Sequence, residues 1–229
     1  SITDSANVGN ADIYGYVATG KFAPNVGKNG SITTYSNPGV VDASRVTTDY
    51  YAEFPNISAP VLSFPSNSFP TSGSIGSLSD SLVGVKHTQE YKISGNWSAD
   101  GELHIYDDVI LVIDGDMSMS GNKKGIYLHG DATLTVYTYG NVSLSGKGVA
   151  NGYKESSDSY SHRTAGTPES FKVFGLDQTA GGTTIAVTGN GAMSGVIYAP
   201  NSNLEIKGGG NIGRVLGAMV GYDVKFTGN

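Results

Sequence analysis

A short motif that returns at regular intervals constrains this chain's fold more than any other feature. Its pattern is apolar, any residue, apolar, small or polar, Gly, then usually Asn, Gly or Lys. It reads Tyr91-Lys92-Ile93-Ser94-Gly95-Asn96, Met117-Ser118-Met119-Ser120-Gly121-Asn122 and Val142-Ser143-Leu144-Ser145-Gly146-Lys147. It returns as Ile185-Ala186-Val187-Thr188-Gly189-Asn190, Leu204-Glu205-Ile206-Lys207-Gly208-Gly209 and Val224-Lys225-Phe226-Thr227-Gly228-Asn229. Steps between the glycines are 26, 25, 43, 19 and 20 residues, the 43 matching two coils or one coil carrying an excursion. Six residues can recur by chance in a Gly/Ser-rich chain; the even spacing is what carries the signal.

The alternation puts two apolar side chains on one face of a short strand. The Gly that follows is free to take positive φ, which predicts a sharp corner after each copy. Further alternating runs, Leu103-His104-Ile105, Ile126-Tyr127-Leu128 and Leu134-Thr135-Val136, lie between copies. Two or three short strands per period are the content of one coil of a parallel β-solenoid, in which each coil buries its apolar face against its neighbours. A β-sandwich is the competing all-β architecture, and it does not require in-register copies of one motif.

Composition supports this and narrows the function. Glycine supplies 33 of 229 residues, and no long segment shows apolar residues at helical spacing. The formal net charge of −6 opposes a nucleic-acid partner. The longest aliphatic run, Val109–Ile113, is too short to cross a bilayer. With no cysteine, disulfides, thiol catalysis and Cys-type zinc sites are excluded together. A charged fraction of only 15% and 14 Tyr lean towards the cell exterior. The first residue is Ser and no signal peptide is recognisable, which reads as a processed product.

One domain is expected over residues 1–229, in three zones. Residues 1–37 read as an early coil. Residues 38–85 carry Pro38, Pro55, Pro60, Pro65 and Pro70 among Ser and Asn, with Tyr50, Tyr51, Phe54, Phe64 and Phe69. Proline cannot donate to a sheet ladder, so this zone reads as an extended segment packed on the body by its aromatics. Residues 86–229 are the regular array, with a polar excursion loop at 148–170. The last motif copy ends at Asn229 with no visible cap, so that end is expected to pack under the Pro-rich segment or to meet another molecule.

The runs Gly115-Asp116-Met117-Ser118-Met119-Ser120-Gly121-Asn122, Gly140–Gly146, Val196-Ile197-Tyr198-Ala199-Pro200-Asn201 and Leu216–Gly221 leading to Val224–Asn229 resemble a bacterial family of secreted domains of unknown function. Such domains are often found behind pilin-like helices of PilX-type, pilus-assembly-associated proteins. The likeness covers roughly 87–229, and more weakly Gly9–Gly20. It implies a β-helical, extracellular, cell-surface or pilus-associated module without assigned catalysis.

Candidate chemistry falls in three groups. His104 and His129 are 25 residues apart, the step from Gly121 to Gly146, so in adjacent coils about 4.8 Å apart they would stack or share a metal. No third ligand follows at that step, and solvent-facing ladder positions are the simpler expectation. Asp107, Asp108, Asp114 and Asp116 crowd around one strand and are the candidate metal ligands, for calcium, or the carboxylates of a lyase or glycosidase. Asp is equally common in turns, where it bonds its own backbone. Outward tyrosines, Tyr106, Tyr127, Tyr137 and Tyr139 first and then Tyr153, Tyr160 and Tyr198, would offer sugar-stacking platforms or make ordinary cross-strand pairs. The run Gly208–Gly213 lacks the Lys-Ser/Thr and helix of a phosphate loop and is set aside.

The expected fold is therefore all-β, a single-stranded right-handed parallel β-helix. The expected function is a non-enzymatic extracellular structural or adhesive surface module, pilus- or envelope-associated. The alternative is a carbohydrate-binding or carbohydrate-active protein of lyase or hydrolase type. Polysaccharide or another surface protein is the expected partner, with no nucleic acid, no membrane and the oligomeric state left open. No cofactor is expected, calcium at the Asp cluster being the sole candidate.

Overall fold

The computed structural model describes residues 6–34, 37, 39–49, 53–82, 84–121, 123–145, 148–153, 166–189, 193–208 and 215–227. Six short strands come first: β1 (Asn7–Gly9), β2 (Asp12–Ile13), β3 (Val17–Ala18), β4 (Asn25–Val26), β5 (Ser31–Ile32) and β6 (Val46–Thr47). After an extended stretch come β7 (Gly73–Ile75) and one short helix, α1 (Leu78–Leu82). The coils of the body follow. The first is β8 (Thr88–Ile93), β9 (Trp97–Ser98) and β10 (Glu102–Ile105); the second is β11 (Asp108–Ile113), β12 (Met117–Met119) and β13 (Gly125–His129). The third is β14 (Thr133–Thr138), β15 (Val142–Leu144) and β16 (Val149–Tyr153), followed by β17 (Phe171–Gly175) and β18 (Thr183–Gly189). The last two strands, β19 (Met193–Gly208) and β20 (Val215–Thr227), are long and run round a corner of the coil.

Among the described residues every strand pairing is parallel, and the chain forms a parallel β-solenoid of about eight turns. One face runs β8-β11-β14-β17-β19-β20, a second runs β9-β12-β15-β18-β19-β20-β1-β4, and a third runs β7-β10-β13-β16. The interior is a set of apolar columns. Leu111, Val136, Val173 and Ile197 stack on the first face, and Leu103, Ile126 and Val149 on the third. All seven are buried. Burial of each such side chain contributes about 1.5–3 kcal/mol, and no coil obtains it without its neighbours.

The repeat stacks on the second face. Met117, Val142, Ile185, Leu204 and Val224 form one column, and Met119, Leu144, Val187, Ile206 and Phe226 the next. The 43-residue step is one coil with an excursion, since β15 pairs directly with β18. The excursion itself lies largely outside the described residues. The Tyr91–Ile93 copy belongs elsewhere: Tyr91 and Ile93 pair with Leu111 and Ile113 on the first face, and Trp97 takes the place beside Met117. Strands on both faces carry the same alternation, so the motif could not tell one face from the other.

The corner glycines also work differently from the expectation. Gly121 has φ +108°, but Gly95 does not take positive φ. Close approach is the tighter demand. A Cβ on Gly115 would sit 2.8 Å from the carbonyl carbon of Gly95, and one on Gly140 would sit 2.5 Å from that of Gly115. This column of backbones leaves no room for side chains.

Both ends of the body are covered. At the first coil, Ser66 pairs with the edge of β8, accepting from the Lys92 N–H (2.9 Å) and donating to Glu90 O (2.8 Å). Phe69, buried, packs edge-on against Tyr91 (5.0 Å) and on Trp97 (5.3 Å). At the other end, β1 pairs with β20 through Asn7 and Lys225, and β4 pairs with β1. Residues read as an early coil thus stack after the last strand of the body, and they, rather than the Pro-rich segment, cover β20. An open edge thirteen residues long exposes unpaired backbone and apolar side chains, and the first strand of the chain satisfies part of it. The connecting stretch runs back along the first face, where Tyr198 donates to Pro55 O (2.7 Å) and the Ser63 and Phe64 N–H groups donate to Glu90 Oε2 (2.7 and 3.1 Å).

Candidate functional site

Alternation along β10 turns Leu103 and Ile105 inward and leaves Glu102 and His104 on the outer surface of the third face. The partner of His104 in β13 is Tyr127, not His129, because the step between coils is 23 residues at this face. The two imidazoles nevertheless meet on a diagonal. His104 Nδ1 lies 2.8 Å from His129 Nε2. His104 stacks on Tyr127 (centroids 4.9 Å, 12°) and His129 on Tyr106 (4.2 Å, 27°), so the hydrogen bond ties two ring stacks together. Tyr127 donates to Glu102 Oε1 (3.1 Å), whose other oxygen lies 4.0 Å from His104 Nε2. His104 is partly exposed, as a ladder position would be, but His129 is only 4% exposed and Tyr106 and Tyr127 are buried too.

Four of the six candidate ligand residues therefore meet here, joined by Glu102, which sequence reasoning did not single out. His104 and Tyr106 also line a hollow of about 460 Å³ with Ser74, Gly76, Ser77 and Leu78. A nitrogen–nitrogen contact of 2.8 Å requires one ring to donate and the other to accept, so the pair holds a single proton between the two facing atoms. Among the described residues, no group of three or more His, Asp or Glu is gathered to hold a metal.

The four aspartates divide between two corners. Asp107 lies just before β11 and Asp108 opens it, and Asp114 and Asp116 follow its end, about 20 Å away at roughly 3.3 Å per residue. Asp107, 2% exposed, accepts from the His87 N–H (3.1 Å) and Gln89 Nε2 (3.3 Å) and lies against Gly76, where a Cβ would come within 2.6 Å of its carboxyl carbon. Asp108 accepts from Thr133 Oγ1 (2.8 Å) and pairs with Lys86 (3.4 Å), which also reaches Asp131 (3.2 Å). Partial burial works to lower the Lys86 pKa, but Asp131 and Asp108 more than offset it and hold the ammonium above its ordinary value. At the far corner Asn96 Oδ1 accepts from the Asp116 N–H (2.8 Å), Asp116 Oδ1 from the Asn141 N–H (2.7 Å) and Asn141 Oδ1 from the Thr184 N–H (2.9 Å). Asp116 is thus one rung of a polar ladder that ties successive corners. The four carboxylates do not converge on a common point.

A second aromatic group lies on the outer surface of the first face. Tyr137, Phe174 and Tyr198 are in register on successive coils. Tyr137 stacks on Phe174 (5.0 Å, 20°), Phe174 meets Tyr198 (6.5 Å), and Phe54 closes edge-on over Tyr198 (6.3 Å). Burial raises the phenol pKa of Tyr137 and of Tyr198. The excursion hid Phe174 from sequence reasoning, since the register of β17 is set only after the extra residues are taken out. Tyr139 sits exposed at a corner, apart from both groups; Tyr153 lies in β16, and Tyr160 lies outside the described residues.

No curated protein and no solved structure matches the chain. The model of one family, the domain of unknown function DUF7305, matches residues 65–229. The match begins at the Ser66 turn that closes the first coil and runs through β20, so it spans the stacked body. On that ground the chain belongs to the DUF7305 family.

Proposed function

We propose that this protein is a non-enzymatic structural module of the cell exterior: a stiff, single-stranded, right-handed rod that presents a polar, Asn-, Ser- and Tyr-rich surface to another surface protein. Right-handed winding is the sense that parallel strand–crossover–strand units almost always take. One observation carries the structural role. The outward rings stack on one another between coils, Tyr137 on Phe174, His104 on Tyr127 and Tyr106 on His129. A sugar-stacking platform needs free ring faces, and here those faces are used to hold coil to coil. The separation of Asp107 and Asp108 from Asp114 and Asp116 supports a non-enzymatic reading, because a glycosidase needs two carboxylates within about 5–9 Å across one bond. The low charge, the 14 tyrosines and the likeness to secreted, pilin-linked domains support an exterior location and an association with pili or the envelope.

A glycan-binding role without catalysis is the second reading. It is favoured by a hollow of about 610 Å³ lined by Phe64, Tyr91, Gln89, Glu90, Ser66 and Ser68, with Phe64 almost fully exposed. A glycan array separates the two. The structural role predicts no retention on any immobilised polysaccharide; retention that is lost in Phe64→Ala would replace it with the binding role. Protease digestion of intact cells tests location, since a protein inside the cell would survive it.

A further inference from the structure

Residues 6–47 form a small solenoid of their own. Asn25 N–H donates to Ala6 O (2.7 Å), Gly27 N–H to Gly9 O (2.6 Å), Ser31 N–H to Ala11 O (3.1 Å), Thr33 N–H to Ile13 O (3.0 Å) and Thr19 N–H to Thr47 O (2.7 Å). Arg45 reaches Gly15 O (3.3 Å), and Ser31 Oγ donates to Asp12 (2.6 Å). Strand pairing joins this block to the body along one line, β1 on β20. Asn7 faces Lys225, both exposed; the next residue, Val8, is buried, and Phe226, next to Lys225, packs on the core. The block also lies outside the family match, which covers the body alone. A long stretch that includes Pro55, Pro60 and Pro65 connects the two, and it is anchored at Tyr198 and at Glu90.

We propose that residues 6–47 are an exchangeable end coil that docks through β1 on the β20 edge either of its own chain or of a second copy, and so links copies end to end. The β1–β20 contacts are the same in both states. Exchange forfeits the connector's contacts at Tyr198 and the high effective concentration the connector provides, costs that rising protein concentration offsets. The partner is a second copy because the surface that β1 fits, the parallel edge of β20 at Lys225, is the one every copy carries. This inference stands apart from the structural and exterior readings, and neither depends on the other.

The absence of cysteine makes the test direct. In-register positions on neighbouring strands lie about 4.8 Å apart, within the Cα separation a disulfide accepts. The variant carrying both Asn7→Cys and Lys225→Cys, oxidised when dilute, should close within one chain. Chains carrying Asn7→Cys alone and Lys225→Cys alone, distinguished by mass tags, are then mixed at high concentration, warmed briefly and oxidised. The expected product is the mixed disulfide dimer, several-fold in excess of either like-with-like dimer and lost when Val8→Asp is added to the first chain. Statistical amounts of all three dimers, or no mixed dimer while the double variant closes, would overturn exchange. A double variant that fails to close would overturn the docking itself.

Discussion

His104 and His129 are hydrogen-bonded at 2.8 Å although they are not strand partners; each stacks on a tyrosine, Tyr127 and Tyr106. The bond crosses between coils, so it should be visible as an energetic coupling. In a double-mutant cycle of His104→Ala and His129→Ala, urea unfolding is expected to give about 0.5–1.5 kcal/mol of coupling. The His129 single variant, which loses a buried ring, should be the more destabilised of the two. Additive effects would mean that the contact adds nothing to stability.

The stacked motif column predicts a sharp contrast between neighbours. Leu144 is buried between Met119 and Val187, whereas Ser143 is exposed. Leu144→Ala should cost about 2–5 kcal/mol, and Ser143→Ala should stay within about 0.5 kcal/mol. Thermal unfolding of the two variants decides it.

The glycine column makes a prediction about crowding. Gly140→Ala drives a methyl to 2.5 Å from Gly115, so the corner backbones must part, at a cost of about 1–3 kcal/mol. Gly95 has nothing within 4 Å of its Cβ position, and Gly95→Ala is expected to be neutral or slightly stabilising. Equal effects at the two positions would refute the close-approach account.

Stability should fall in alkali. Burial raises the Tyr91 phenol, with the Asp107 charge adding to it, and burial alone raises Tyr137. The folded state therefore favours the neutral phenols. Their contribution is complete below the unfolded value of about 10 and declines as pH rises from there through the raised folded values. Lys86, also raised, works in the same direction: its pairing with Asp108 and Asp131 stabilises below its unfolded value and is lost on deprotonation. The urea midpoint is expected to drop as pH passes 10, and Tyr137→Phe should make that drop shallower.

What was legible in the chain was whatever depends on near neighbours. Alternation in Met117–Met119, Val142–Leu144, Ile185–Val187, Leu204–Ile206 and Val224–Phe226, at even spacing, dictated short stacked strands with apolar residues inward, because one coil can bury that face only against the next. Position around the coil was less legible. Tyr91–Ile93 carries the same alternation as the motif yet sits on a different face, since period 2 says which side a residue points to and nothing about which side of the coil its strand forms.

The tertiary structure alone decided the rest. The His104–His129 contact depends on a corner-to-corner step that differs between faces, and Asp107 and Asp116, nine positions apart in sequence, are sent to opposite ends of β11 by the stiffness of an extended strand. Most of all, β1 stacks on β20 although Asn7 and Lys225 are 218 positions apart. No local pattern encodes such a pairing. It follows from an open strand edge at the end of the stack, which any strand of matching geometry can cover, and from a connector long enough to bring the first strand there.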